Sequence, residues 1–374
     1  MDINTKVWWD AFLDAIKYDN TDLVNKITEN RNLIDHENHN KITPLLFAIE
    51  SNSPNIVAIL LNKGANPNYE TSDGRFTPLL MAVKKRNYNI IGKLLEKGAN
   101  PSQGLEMGGM TPIAWSVYTS DIEMISLFIK AGINLNQQDS NGDTPLTIAI
   151  IRQNDRGQEP FLTYQFLIEN GADPNLENGK GQTPLSLAVM NNSYDIVTYL
   201  VSRGVDINKT TDLVEGLTPL FIAIKNNNFE ISKFLIENGA DVNKSESRHG
   251  NYPVNFAIHN GDFDMIELLV DSGANLDVKN TTGYTPCHFA IILGNIDIIR
   301  FLVSRGMDCS IAADNNEKPF DMAVQYLNRS TNQREQNKWQ TILDLLISSP
   351  PTPGFNYDYG FQNGVKYALE YLSK

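Results

Sequence analysis

The sequence predicts an all-α repeat solenoid of about ten units, each a pair of helices closed by a turn or hairpin loop. Three observations predict it. Thr-Pro recurs at Thr43, Thr77, Thr111, Thr144, Thr183, Thr218 and Thr285, and Tyr252-Pro253 and Lys318-Pro319 continue the series. Successive spacings are 34, 34, 33, 39, 35, 34, 33 and 33 residues. A glycine stands 21 residues after most of these starts, at Gly64, Gly98, Gly132, Gly204, Gly239, Gly273 and Gly306, and after Thr144 the interval is 27, ending at Gly171. Ten residues after a start stands an N-cap residue type: Ser53, Asn87, Asp121, Ser193, Asn228, Asp262 or Asn295. Self-similarity at such a period is the signature of a repeat array.

Each landmark has a physical task. A threonine hydroxyl caps free helical N–H groups, and the proline after it lacks the donor that would be orphaned there. Small and apolar residues follow, as in Leu45, Phe47 and Ala48 or Leu185, Leu187 and Ala188. The second cap starts a second helix with apolar pairs one turn apart, such as Ile56, Val57, Leu60 and Leu61, or Ile298, Ile299, Leu302 and Val303. Helical spacing places these on one buried face. Glycine then ends the helix in the left-handed region, and Asn66-Pro67-Asn68 or Asp173-Pro174-Asn175 turns the chain.

The phase continues before the first Thr-Pro. Asp10 precedes Thr43 by 33 residues, Ala15 falls on the small position, and Leu23, Val24 and Ile27 fall on the second-helix positions. Trp8 and Trp9 are expected to cover the open end. The starts are thus Asp10, Thr43, Thr77, Thr111, Thr144, Thr183, Thr218, Tyr252, Thr285 and Lys318. The array spans 1–347, with an N-terminal cap at 1–39, central repeats at 40–313 and a stretched cap repeat at 314–347; 348–374 is a Pro-rich spacer and aromatic tail, helical at its end. Terminal repeats are atypical because one face meets water.

The unit resembles the ankyrin repeat. Thr285-Pro286-Cys287-His288-Phe289-Ala290 follows the family's T-P-L-H-x-A with Cys in the Leu place, and Gly239-Ala240-Asp241-Val242-Asn243 matches its G-A-D-V-N. The resemblance implies a curved stack whose concave face is built from hairpin fingers and first helices. It places contact positions four, three and one residue before each Thr, and seven and eight after it. Those positions hold Phe76, Met107, Met110, Tyr118, Ile151 and Met190, with Lys84, Lys85, Arg152, Lys180 and Lys225 among them and Arg248, His249, His259, Tyr284 and Ile292 toward the C-terminal side. Aromatic, Met and Arg side chains enrich interface centres. The expected partner-binding set is therefore Phe76, Lys84, Met107, Met110, Tyr118, Ile151, Arg152, Met190, Lys225, His259 and Tyr284, centred on repeats three to five. The alternative is that Phe76 and Met110 pack between fingers.

Composition bounds the function. The 374 residues include 31 basic and 44 acidic side chains, a net charge of −13 that argues against a nucleic-acid partner. A hydrophobic fraction of 41% suffices for a packed core. Two cysteines are too few for a disulfide framework and form no C-x-x-C. No apolar run reaches membrane-spanning length, and the N-terminus has no Sec-type apolar region. The expectation is a cytoplasmic monomer in a reducing compartment.

Catalytic chemistry has no positive signal. Of His36, His39, His249, His259 and His288, the last is the family's locally hydrogen-bonded histidine, and Cys287 beside it takes a core position. His249 and His259 lack a third zinc ligand at a suitable spacing. No G-x-x-x-x-G-K-[ST], G-x-S-x-G or H-E-x-x-H occurs. The reading is a non-catalytic protein-interaction scaffold without metal or cofactor, whose partner is a protein or peptide.

Three further expectations follow. The Asn-rich, stand-alone array resembles ankyrin effectors that intracellular bacteria deliver into host cells by type IV secretion, which implies a eukaryotic host protein as partner and release without a Sec signal. Asn243, preceded by Asp241-Val242 with Leu235 upstream, resembles ankyrin asparagines modified by a host asparaginyl hydroxylase. The alternative function is an enzymatic activity in the final repeat and tail. Two segments depart from the repeat: Arg152 to Pro160 is read as a polar loop, and polar Asn328 to Asn337 as a lengthened connection before Trp339. The tail after Pro353 carries Phe355, Tyr357, Tyr359, Phe361, Tyr367 and Tyr371, read first as a cap on the last repeat and second as a partner or export segment.

Overall fold

A computed structural model describes residues 3–29, 33–104, 111–152, 160–211 and 215–348. The described residues form twenty helices in ten consecutive pairs, with no strand. The chain divides into two compact units, Met1–Asn191 and Asn192–Lys374. The division falls between the two helices of the sixth pair, α11 (Pro184–Met190) and α12 (Tyr194–Ser202).

Local chemistry sets each helix start. Thr43, Thr77, Thr111, Thr183 and Thr218 are the N-caps of α3 (Pro44–Glu50), α5 (Pro78–Lys84), α7 (Pro112–Tyr118), α11 and α13 (Pro219–Lys225), and each hydroxyl accepts a backbone N–H from the first turn. The second helices begin at the expected caps. Asn87, Asp121, Asn228, Asp262 and Asn295 accept first-turn N–H groups, whereas Ser53 and Ser193 cap without such a bond. In eight of the pairs the chain passes between the helices through one left-handed residue, for example Asn52 (φ +57°), Ser120 (φ +55°) or Gly261 (φ +71°). That tight reversal brings both apolar faces into one layer.

First helices pack on first helices within each unit. In the first unit α3, α5, α7, α9 (Pro145–Arg152) and α11 contact in sequence. In the second unit α13, α15 (Pro253–Asn260), α17 (Pro286–Leu293) and α19 (Pro319–Arg329) do the same. Leu45, Leu46, Leu80 and Ile150 on first helices, and Ile56, Val57, Leu60, Ile90 and Ile91 on second helices, are fully buried. The fingers of the fifth and sixth repeats meet backbone to backbone: Gly179 N–H donates to the Gly142 carbonyl at 2.7 Å.

Asparagines bracket neighbouring turns. Asn68 Oδ1 accepts the Asn100 N–H at 2.7 Å while its Nδ2 donates to the Gly98 carbonyl at 2.9 Å. Asn136 does the same toward Asp173 and Gly171, and Asn208 toward Asp241 and Gly239. Each bracket satisfies a carbonyl at a helix end together with a turn N–H of the next repeat.

The ends are sealed with aromatics. In α1 (Ile3–Lys17) the Trp8 ring stacks on Phe12 at 5.3 Å, and its Nε1–H donates to the Ile27 carbonyl at 2.8 Å. At the other end Tyr326 stacks on Trp339 at 4.6 Å. Here the structure corrects the sequence reading. Asn328 to Asn337 is not a long connection: α19 continues through Arg329 and α20 (Gln333–Ser348) begins almost at once. Gln, Arg, Glu and Lys are good helix formers, so this polar stretch lengthens two helices instead of a loop. Residues 153–159 of the other departure, and the tail from 349 onward, lie outside the described residues.

One covalent tie was not expected. Cys287, fully buried on α17, is disulfide-bonded to Cys309 in the turn after α18 (Ile296–Ser304), with Cα atoms 5.6 Å apart. Beside it, His288 is buried and closes a capping box. Its Nδ1 accepts the Thr285 backbone N–H at 3.1 Å, and its Nε2 lies 3.1 Å from the Glu317 carbonyl. Those partners require Nε2–H and an unprotonated Nδ1. Burial accordingly holds its pKa below the ordinary 6.5.

Candidate interaction face

The candidate face is built from one column per repeat. Seven and eight residues after each Thr the first helix ends, and the side chains there are exposed or half-buried. In the first unit this column holds Lys84 and Lys85, then Tyr118, then Ile151 and Arg152, then Met190. The finger residue Phe76 precedes Thr77 at the edge of the same column.

These side chains form a ladder of alternating cations and rings. Lys84 Nζ lies 5.5 Å from the Phe76 ring centre and 5.1 Å from that of Trp115. Trp115 stacks on Tyr118 with centroids 5.9 Å apart and planes within 21°. The Arg152 guanidinium carbon is 3.6 Å from the Tyr118 ring centre, which is face-on stacking. Repeats three to five are thus joined through side chains that no helix core requires. Each cation–π contact is worth about 0.5–2 kcal/mol depending on desolvation, enough to fix rotamers that would otherwise be free. Phe76, Trp115 and Tyr118 are half-buried, and Lys84 is exposed. Ile151 is 40% and Met190 36% exposed, large apolar groups in water at the end of the ladder. Met190 Sδ accepts from Gln182 Nε2 at 3.5 Å.

The structure thus brings together Phe76, Lys84, Tyr118 and Arg152 of the expected set, with Ile151 and Met190 on the same column. Met107 and Met110 lie outside the described residues. Lys225, His259 and Tyr284 belong to the second unit, each with its own local partner. Lys225 Nζ pairs with Glu215 at 2.7 Å, so its charge is already matched. Tyr284 stacks on the buried His288 at 4.9 Å, and its hydroxyl donates to Glu317 at 3.4 Å, so it serves the packing of the ninth repeat. His259 is exposed, 6.5 Å from Phe256. Asn243 is engaged as a bracket: Oδ1 accepts the Asn275 N–H at 2.8 Å and Nδ2 donates to the Gly273 carbonyl at 3.0 Å.

Trp115 is the functional candidate that the sequence reading missed. It stands four residues after Thr111, a place filled elsewhere by the core residues Met81 and Leu187. Indole exceeds that slot and emerges beside Tyr118. The i, i+3 spacing of two aromatics on one short helix was the available signal.

Among the described residues no group of three His, Cys, Asp or Glu side chains is placed to hold a metal ion. A cavity bounded by Thr111, Ile113, Asp139 and Asp143 measures about 10 Å³, room for one water molecule. Burial raises the Asp143 carboxyl above its ordinary value against the Asn178 amide that donates to it. No described helix is long and apolar enough to cross a membrane.

The comparisons agree with this architecture. The family model described as ankyrin repeats (3 copies) matches residues 12–105, 155–246 and 244–313. Solved structures that resemble the chain include the crystal structure of the ankyrin repeat domain of Bcl-3, described as a unique member of the IkappaB protein family. The match has 26% identity and a TM-score of 0.52, over 64% of this chain and 98% of that one. No curated protein sequence matches the chain. With the family model covering most of the chain and the helix pairs repeating at its period, the chain belongs to the ankyrin-repeat family.

Proposed function

We propose that the protein is a non-catalytic interaction scaffold that holds a protein or peptide partner on the first-helix face of its first unit. The carrying observation is the Phe76–Lys84–Trp115–Tyr118–Arg152 ladder, which orders aromatic and cationic side chains at the surface without filling a core. Preordered side chains lose less entropy on binding, and rings with arginines are the usual energetic centres of interfaces. Ile151 and Met190 extend the same column with exposed apolar surface.

The test is capture from eukaryotic cell lysate by the intact chain beside a Trp115→Ala/Tyr118→Ala variant of unchanged circular dichroism. A protein retained by the wild type and lost with the variant supports this face. Equal retention by both removes the face from the function. The likeness to type IV-delivered ankyrin effectors adds a host protein as the partner. Its own test is transfer of the chain into host cells with and without the residues after Pro353. Transfer that does not depend on them counts against an export role for the tail.

A further inference from the structure

The partner's chemistry can be narrowed from the charges on this face. Lys84 is exposed and touches two rings, and neither neutralises its charge; it has no acidic partner among the described residues, and neither has Lys85 beside it. Arg152 is stacked flat on Tyr118, which fixes the plane of the guanidinium. Several other exposed cations are paired: Arg75 with Asp73, Arg86 with Asp121, Lys225 with Glu215, Arg300 with Asp297, and Arg305 with Asp271. In a chain of net charge −13, Lys84 and Lys85 put two unmatched positive charges directly beside the aromatic ladder. Acidic proteins repel acidic partners at long range, so a local positive site must supply both attraction and register.

We infer that the occupant of this face is an acidic peptide segment, with a carboxylate seated on Lys84 between the Phe76 and Trp115 rings and apolar side chains laid over Ile151 and Met190 at the Tyr118 edge. The inference rests on the interaction face proposed above. A carboxylate fits the geometry because Lys84 approaches each ring with its ammonium group and leaves its other N–H donors outward. A neutral segment would leave the two lysines unmatched as it displaced their water, and a basic one would add like-charge repulsion.

The probe is a random 16-residue peptide library displayed on phage. It is selected on the intact chain at low salt, with the Tyr118→Ala variant as the counter-selection. The selected peptides are then measured by fluorescence anisotropy against wild type, Lys84→Ala and Lys84→Glu. The expected result is enrichment of Asp and Glu beside apolar residues in peptides that Tyr118→Ala fails to bind. Lys84→Ala is expected to weaken these peptides about tenfold, Lys84→Glu further, and exchange of the peptide's critical Glu for Lys to restore binding to Lys84→Glu. Peptides lost with Tyr118→Ala but free of acidic excess, or indifferent to Lys84, overturn the acidic inference and leave the face standing. Peptides that bind Tyr118→Ala as well as wild type, or no enrichment at all, overturn the face and the inference with it.

Discussion

The Arg152 guanidinium lies face-on over the Tyr118 ring at 3.6 Å, joining the last residue of α9 to the last residue of α7. The two residues are 34 apart in sequence, one more than the 33-residue spacing of their repeats, and neither helix core needs their contact. Periodicity brings equivalent positions of neighbouring repeats side by side, so any side chain type placed there repeatedly becomes a continuous column. A solenoid makes an extended surface in this way from a short unit. Here the column alternates charge and ring, which gives it fixed rotamers before any partner arrives.

Close finger packing gives the first prediction. A Cβ on Gly179 would stand 2.6 Å from the Asn141 carbonyl oxygen and 3.0 Å from Gly142 Cα. Both are backbone atoms and cannot step aside. Gly179→Ala is expected to lower stability by about 2 kcal/mol by urea unfolding. An unchanged midpoint would mean the fingers do not meet as described.

A buried misfit gives the second. Both amide atoms of Asn255 are buried with no hydrogen-bond partner among the described residues, because Tyr252 replaces the capping threonine and Asn the histidine of the repeat. An unsatisfied buried polar group costs about 1–3 kcal/mol. Tyr252→Thr/Asn255→His installs the arrangement seen at Thr285 and His288, whose ring also reaches a carbonyl of the following repeat. The double variant is expected to melt several degrees higher, and a lower melting point would contradict the diagnosis.

The third concerns pH. His288 is held neutral by burial, and a proton on Nδ1 would face the Thr285 N–H. Its folded pKa lies below the unfolded 6.5, so the unfolded state binds the proton first as pH falls. The stability it supports is complete above about pH 6.5 and declines below it. Raised carboxyls such as Asp35 and Asp143 act in the opposite sense at lower pH. Stability is therefore compared between wild type and His288→Gln from pH 7.5 to 5. The gap between them should narrow toward acid, and a constant gap would remove the histidine from the account.

Much of this fold is legible locally. Thr-Pro starts, second caps and helix-ending glycines act within a few residues, so their spacing alone locates the helices. What the sequence did not reveal depends on contacts between repeats. The Asn68 and Asn243 brackets look like ordinary turn asparagines until the next repeat is placed beside them. Trp115 reads as core because its slot is core in other repeats. Polar Gln333, Arg334, Glu335 and Gln336 suggest a loop, yet one solvated face of a helix has the same composition. The candidate face was half legible: its residues were named from period, whereas the ladder that orders them exists only in three dimensions.

The disulfide gives the fourth prediction. Cys287 and Cys309 are 22 residues apart and tie the first helix of the ninth repeat to the turn after its second. A loop of this size contributes about 3 kcal/mol when closed. Cys309→Ser is expected to destabilise the second unit by about that amount in oxidising buffer and to match the wild type once dithiothreitol is present. Equal stability of the two proteins in oxidising buffer would show that the bond contributes nothing.

If the ladder face holds the partner, removing its two stacked rings must weaken binding. Calorimetric titration of a captured partner into wild type and into Trp115→Ala/Tyr118→Ala, with melting temperatures checked side by side, tests it most directly. The variant is expected to bind at least tenfold more weakly, about 1.4 kcal/mol, with the fold intact. The same affinity in both proteins would contradict it.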